Sequence, residues 1–191
     1  MKYISIILFG IWVLAEMLSA QEGAAFANRL VAAANHRTTQ EVRYDPAYVA
    51  IEYPGGDVPS GTGVCTDVVI RSYRALGVDL QQLVHEDMRV NFAKYPGLWG
   101  LKGPDRNIDH RRVPNLQCYF ERQGAELKGP GNEFLPGDLV AWDLNGKGLW
   151  HIGLVTGTDT FVHNIGSGPV SESGIQQWKV VGHYRFSPED S

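Results

Sequence analysis

The sequence predicts an α+β fold, with N-terminal helices packed on a C-terminal antiparallel β-sheet. Two observations carry this. Apolar residues recur at helical spacing over residues 22–34, 65–76, 79–94 and 114–123. From residue 136 onward the pattern changes to short alternating runs separated by turn residues. Helical and strand patterns are segregated along the chain rather than interleaved, which is the mark of this class. The chain has 191 residues, 43% hydrophobic and 20% charged, enough for one core and too apolar for disorder. Its formal charge of -4, with Arg111-Arg112 the nearest approach to a basic run, excludes nucleic acid as an expected partner.

The N-terminus comes first. Lys2 precedes an almost wholly apolar run from Ile4 to Leu14, and Ser19-Ala20 follow as small residues. This reads as a secretory signal peptide over residues 1–20, leaving a single domain over 21–191. The run is too short for a comfortable membrane span of about 20 residues, so no stable membrane insertion is expected after cleavage. A periplasmic or secreted location follows from that reading. In residues 22–34, Phe26, Leu30 and Val31 mark a helix that braces the outside of the domain.

Residues 44–63 are rich in Tyr, Pro and Gly and read as loop. The chain then switches to helix at Cys65, with Val68, Val69, Tyr73 and Leu76 on one face and Gly77 as the stop. A second helix over 79–94 ends before Pro96-Gly97, and Pro114 opens a third that exits at Gly124. Strands follow at Asp138–Asp143, His151–Thr156, Phe161–Asn164 and Val180–Phe186, with a hairpin turn at Asn145-Gly146. Pro169, Ser171, Ser173 and Gly174 read as a loop.

Amide hydrolysis by a thiol needs a thiolate, an imidazole base and a group that orients the imidazole. Cys65 at a helix N-terminus has free N–H groups and a dipole favouring the thiolate. His151 and His163 open and close neighbouring strands joined by a short hairpin, which can set two rings side by side. His151 is therefore the expected base and His163 the orienter; Asn164, on the opposite strand face, is a weaker orienter. Against this stands a plain reading in which Cys65 is a buried core residue and the histidines are structural. Cys118, in an apolar stretch, reads as a core cysteine; a Cys65–Cys118 bridge would compete with catalysis. His36, His85, His110 and His183 lack comparable context, and each reads as surface or locally bonded.

The run Pro136-Gly137-Asp138-Leu139-Val140-Ala141-Trp142, followed by His151-Ile152-Gly153-Leu154-Val155, resembles the PGDLVFF…HVGIY pattern of NlpC/P60 (papain-like) cysteine peptidases. The segments GTGVCTDVVIRSYRALGVDL and NIDHRRVPNL resemble the DUF1287 family more closely. The resemblance implies a papain-like fold and a Cys65–His151–His163 triad, with Tyr53 and the Cys65 N–H forming the oxyanion site. It also implies peptidoglycan stem peptides as partner and substrate, and no metal or organic cofactor. This sequence departs from the NlpC/P60 pattern in having Val64 before the cysteine and Asp67 two residues after it. The segment 79–130 lies outside the pattern and is expected to shape a family-specific cleft.

Further assignments complete the reading. Arg111 and Arg112 are candidate partners for a substrate carboxylate, as is Asn164 for other polar substrate groups. Asp105, Asn107 and Asp109 imitate the start of a calcium loop, but Arg111 stands where that loop needs glycine; turn capping explains them better. Zinc on Cys65, His151 and His163 lacks a close ligand pair. Trp99, Trp142, Trp150 and Trp178 could line a ligand groove, but each reads better as core or partial core. The reading from another functional class is a catalytically inactive wall- or protein-binding module on the same fold. Acyl transfer to an amine would use the same residues as hydrolysis.

Overall fold

A computed structural model describes residues 2–129 and 133–188; side chains are described from Met17 onward. Helix α1 runs Lys2–Arg37, so residues 2–20 and the bracing helix are continuous in backbone. The leader assignment itself falls mostly on side chains outside the described residues. Among the described residues, no helix is long and apolar enough to cross a membrane. The C-terminal half of α1 buries Phe26, Leu30 and Ala34 against the core, as a brace would.

Two short strands, β1 (Arg43–Tyr44) and β2 (Thr62–Gly63), pair in parallel and clamp the ends of the Pro/Gly-rich loop. Helix α2 (Cys65–Arg74) begins immediately afterwards. Its Val68, Val69 and Tyr73 are almost wholly buried, and each such apolar side chain contributes roughly 1.5–3 kcal/mol. Gly77, at φ 86°, supplies the left-handed residue that ends the turn. Helix α3 (Leu80–Asn91) is capped by the Asp79 carboxylate, which accepts from Gln81 N–H at 3.0 Å. Its expected extension to residue 94 is a 3-10 turn, Phe92–Lys94. A second 3-10 turn (Asp109–Arg111) leads into α4 (Val113–Arg122), with Pro114 in its first turn.

The C-terminal sheet contains β3 (Leu139–Asp143), β4 (Trp150–Val155), β5 (Thr160–Asn164), β6 (Pro169–Ser173) and β7 (Lys179–Tyr184) in the order β6-β5-β4-β3-β7. Strand β6 occupies residues expected to be loop. Pro169 is tolerated because it opens an edge strand, where a missing N–H costs no ladder bond. Side-chain alternation gives the sheet two buried faces. Leu139, Ala141, Ile152, Leu154 and Val162 pack toward α1, α2 and α4. Val140, Trp142, Val155 and Phe161 pack on the other side beneath Ile175 and Trp178. Strands β3 and β4 pair along their whole length, whereas β4 and β5 pair only at Leu154↔Val162 and Val155↔Phe161.

Gly137 shows how closely α1 approaches the sheet. Its φ is 99°, and a Cβ there would lie 2.7 Å from Ala27 Cβ. Next to it, Asp138 is a buried hub whose carboxylate takes His183 Nε2 at 2.7 Å and Arg185 Nε at 2.7 Å. His183 is therefore a long-range structural partner, not a surface residue. The Asp138 carboxyl is held below its ordinary range. Burial opposes this, but the donors from His183, Arg185 and Leu135 N–H prevail.

Candidate active site

Cys65 is the first residue of α2, after Val64 as N-cap. The local sequence builds this start through Asp67. Its Oδ2 accepts Val64 N–H at 2.7 Å, and its carboxylate receives Arg111 Nε and Nη2 at 2.9 and 3.0 Å. Both members of that ion pair are buried, with side-chain exposures of 2% and 3%. Thr66 Oγ1 donates to Arg111 O at 3.0 Å, and Asn164 Nδ2 donates to Gly63 O at 3.3 Å. The helix start is thus pinned from the 3-10 turn on one side and from β5 on the other.

The Cys65 sulfur is buried, and the backbone N–H groups of Ile152, Thr66 and its own residue act on it electrostatically in favour of the thiolate. Ile152 follows His151 directly on β4, so the sulfur sits one residue from the expected base. His151 Nε2 and His163 Nδ1 are 2.7 Å apart. The two rings are buried and pack among Trp142, Phe161 and Trp178. Among the described residues no hydrogen bond joins the sulfur to either ring: the structure brings the two imidazoles together and sets the thiol beside their strand.

Electrostatically the resting site is neutral. Burial pushes the Cys65 thiol up to about 11, against the lowering pull of three backbone amides. This corrects the expectation of a poised thiolate: loss of water outweighs the helix terminus. Burial, then the neighbouring His163, pushes His151 down to about 3. Both cysteines are free, so the competing disulfide is absent; Cys118 is only partly buried, its thiol donating to Lys94 O at 3.4 Å.

A cleft of ≈ 430 Å³ opens beside Cys65, lined by Tyr44, Tyr48, Trp99, Arg112 and Trp150 among others. Trp99 and Trp150 are 39% and 38% exposed, so they are cleft walls rather than core. Tyr53, the expected oxyanion residue, is elsewhere: its ring packs 5.0 Å from His85 and under Arg106. Tyr44 takes the cleft position instead, because β1 sets it in register with Gly63. Three tyrosines lie in one irregular loop, and no periodicity distinguishes them in sequence.

The polar candidates separate as well. Arg111 borders the cleft, but its guanidinium is committed to Asp67 and the Ala47 carbonyl. Asn164 is committed to Gly63 O and Gly166 N–H, which makes it a support of the loop before Cys65 rather than a substrate contact. Arg112 stands in the cleft wall, 4.1 Å above the Trp99 ring and paired to Asp109 at 2.9 Å. Asp105 and Asn107 cap turns: Asn107 N–H and Ile51 N–H bond to Asp105 Oδ1 and Asn107 Oδ1. Among the described residues no group of three or more His, Cys, Asp or Glu side chains is placed to hold a metal.

Residues 31–186 match the family described as Domain of unknown function (DUF1287). The chain belongs to the DUF1287 family. It is 53% identical over 151 residues to the Escherichia coli (strain K12) protein "Uncharacterized protein YijF", covering 75% of this chain and 73% of that one. Two solved structures resemble this DUF1287 chain more distantly. NlpC1 from Trichomonas vaginalis matches at 16% identity and a TM-score of 0.47, over 84% of this chain and 44% of its own. NlpC2 from the same organism matches at 16% identity and 0.48, over 83% and 46%. The chain therefore spans less than half the length of these two.

Proposed function

We propose that this DUF1287 protein is an exported cysteine hydrolase that cleaves amide bonds, with peptidoglycan stem peptides as its substrate class. The observation that supports this best is the placement of a free thiol at a helix start, under three backbone N–H groups, one residue from a hydrogen-bonded imidazole pair. His151 Nε2 is occupied by His163, which leaves Nδ1 as the nitrogen to receive the thiol proton. In this reading Cys65 Sγ attacks the carbonyl carbon and its proton passes to His151. Backbone N–H groups and the Tyr44 hydroxyl steady the oxyanion, and the imidazolium then protonates the leaving amine. Water attacks the thioester with His151 again as base, freeing the acid and the thiol. The apolar run near the N-terminus is the support for export.

The resting proton balance restricts how this can work. With burial pushing the thiol up to about 11 and the imidazole down to about 3, moving the proton before substrate arrives is disfavoured. In this reading proton transfer accompanies attack, with no preformed thiolate–imidazolium pair. The same burial favours the second reading, a binding module in which the aromatic cleft holds wall fragments and Cys65 is structural. One experiment separates them: purified peptidoglycan is incubated with wild type and with Cys65→Ala, and soluble products are weighed by mass spectrometry. The hydrolase reading requires products from wild type alone. Binding by both proteins with no cleavage selects the module.

A further inference from the structure

We propose that Glu172 is a positioning residue, whose carboxylate fixes the tautomers of His163 and, through it, of His151. This inference rests on the hydrolase reading for its purpose, though not for its test. Strand β6 places Glu172 opposite Phe161, on the sheet face that carries the two imidazoles. Glu172 Oε2 lies 3.4 Å from His163 Nε2, and the carboxylate is 40% exposed while His163 is fully buried. Among the described residues His163 Nε2 makes no formed hydrogen bond, so the Glu172 carboxylate is an electrostatic neighbour of an otherwise unpartnered buried nitrogen. The remaining neighbours of the pair, Trp142, Phe161 and Trp178, are aromatic.

The logic is one of donors and acceptors. A carboxylate only accepts, so a proton on His163 Nε2 is favoured over a bare lone pair facing it. A neutral imidazole carries one N–H, which makes His163 Nδ1 an acceptor. The 2.7 Å contact with His151 Nε2 then needs its proton on the His151 side. His151, also neutral, is left with an unprotonated Nδ1, the form a base must have. Reversing every proton in the chain would leave His163 Nε2 bare against Glu172 and put a proton on His151 Nδ1, where it cannot serve. Glu172 thus selects between two otherwise comparable arrangements and links the buried pair to solvent.

The test reads tautomers in the free protein by nitrogen-15 NMR of histidine-labelled samples at pH 7. Wild type is expected to show both rings protonated at Nε2. Glu172→Ala should shift His151 Nδ1 toward the protonated resonance, as the two arrangements mix. Glu172→Gln, whose amide oxygen can still accept, should restore the wild-type pattern. Glu172 is a half-exposed edge residue, and an unchanged melting temperature certifies each variant as folded. Unaltered tautomers in Glu172→Ala, or a wild-type His163 protonated at Nδ1, would overturn the proposal. Because no substrate is involved, this outcome is separate from any failure of the wall digestion.

Discussion

The chemical state of Cys65 is open to direct measurement by alkylation. With its thiol pushed up to about 11, roughly 0.1% is thiolate at pH 8, against about a quarter of an ordinary thiol of pKa ~8.5. The difference is about 200-fold before shielding is counted, and Cys65 is only 5% exposed. In a Cys118→Ala background, iodoacetamide should therefore label Cys65 at least ~200-fold more slowly than free cysteine at pH 8. The rate should climb about tenfold per pH unit through pH 10 without a plateau, and urea should abolish the protection. His151→Ala should leave that slope unchanged, because a neutral imidazole contributes no charge to the thiolate. A labelling plateau below pH 8 that disappears in His151→Ala would refute the reasoning, since it would demonstrate a thiolate–imidazolium pair in the resting protein.

Other perturbations test the frame around the site. Arg111→Met leaves Asp67 charged and unpaired in the interior and should destabilise by about 3–5 kcal/mol, whereas Asp67→Leu with Arg111→Met should recover most of that loss; urea denaturation of the double-mutant cycle measures it. Gly137→Ala combines a φ of 99° with a Cβ driven onto Ala27, and a loss of roughly 2–3 kcal/mol is expected in thermal melts. Asp138 has a folded pKa below its unfolded one, so its stabilisation is complete above the unfolded value and fades as pH falls through the folded value. Asp138→Asn should therefore cost about 1.5–3 kcal/mol near pH 7, with the gap to wild type closing below about pH 4. Leu30→Ala, deep beneath the bracing helix, should cost about 2–5 kcal/mol.

The architecture was legible where periodicity is strong. The helix starting at Cys65 and the strand faces of Leu139/Ala141 against Val140/Trp142 follow directly from alternation and spacing. Strand β6 was not legible, because Pro, Ser and Gly dominate its segment and its pairing comes from β5 rather than from its own propensity. Within the site, the 2.7 Å contact of His151 and His163 follows from their places on adjacent strands. That Tyr44 and not Tyr53 lines the cleft was not legible, because only the β1–β2 pairing, formed across an irregular loop, decides which tyrosine reaches it. Arg111 looked like a ligand contact, since its buried partner lies 44 positions away on another helix. The thiol's protonation was misjudged because burial is a property of the packed molecule, whereas the helix terminus is visible in the local chain.

The parting of β4 from β5 after two paired positions has a consequence for how the molecule fluctuates. Beyond that fork, residues 151–153 pair on one side only, with β3, so local opening there requires less work than in a strand paired on both sides. Amide protons around 151–153 and 163–165 should exchange with solvent well before those of β3, whose flanks are both zipped. The more weakly paired stretch of the sheet is thus the one that carries His151 and His163, and its free strand edges lie beside Cys65.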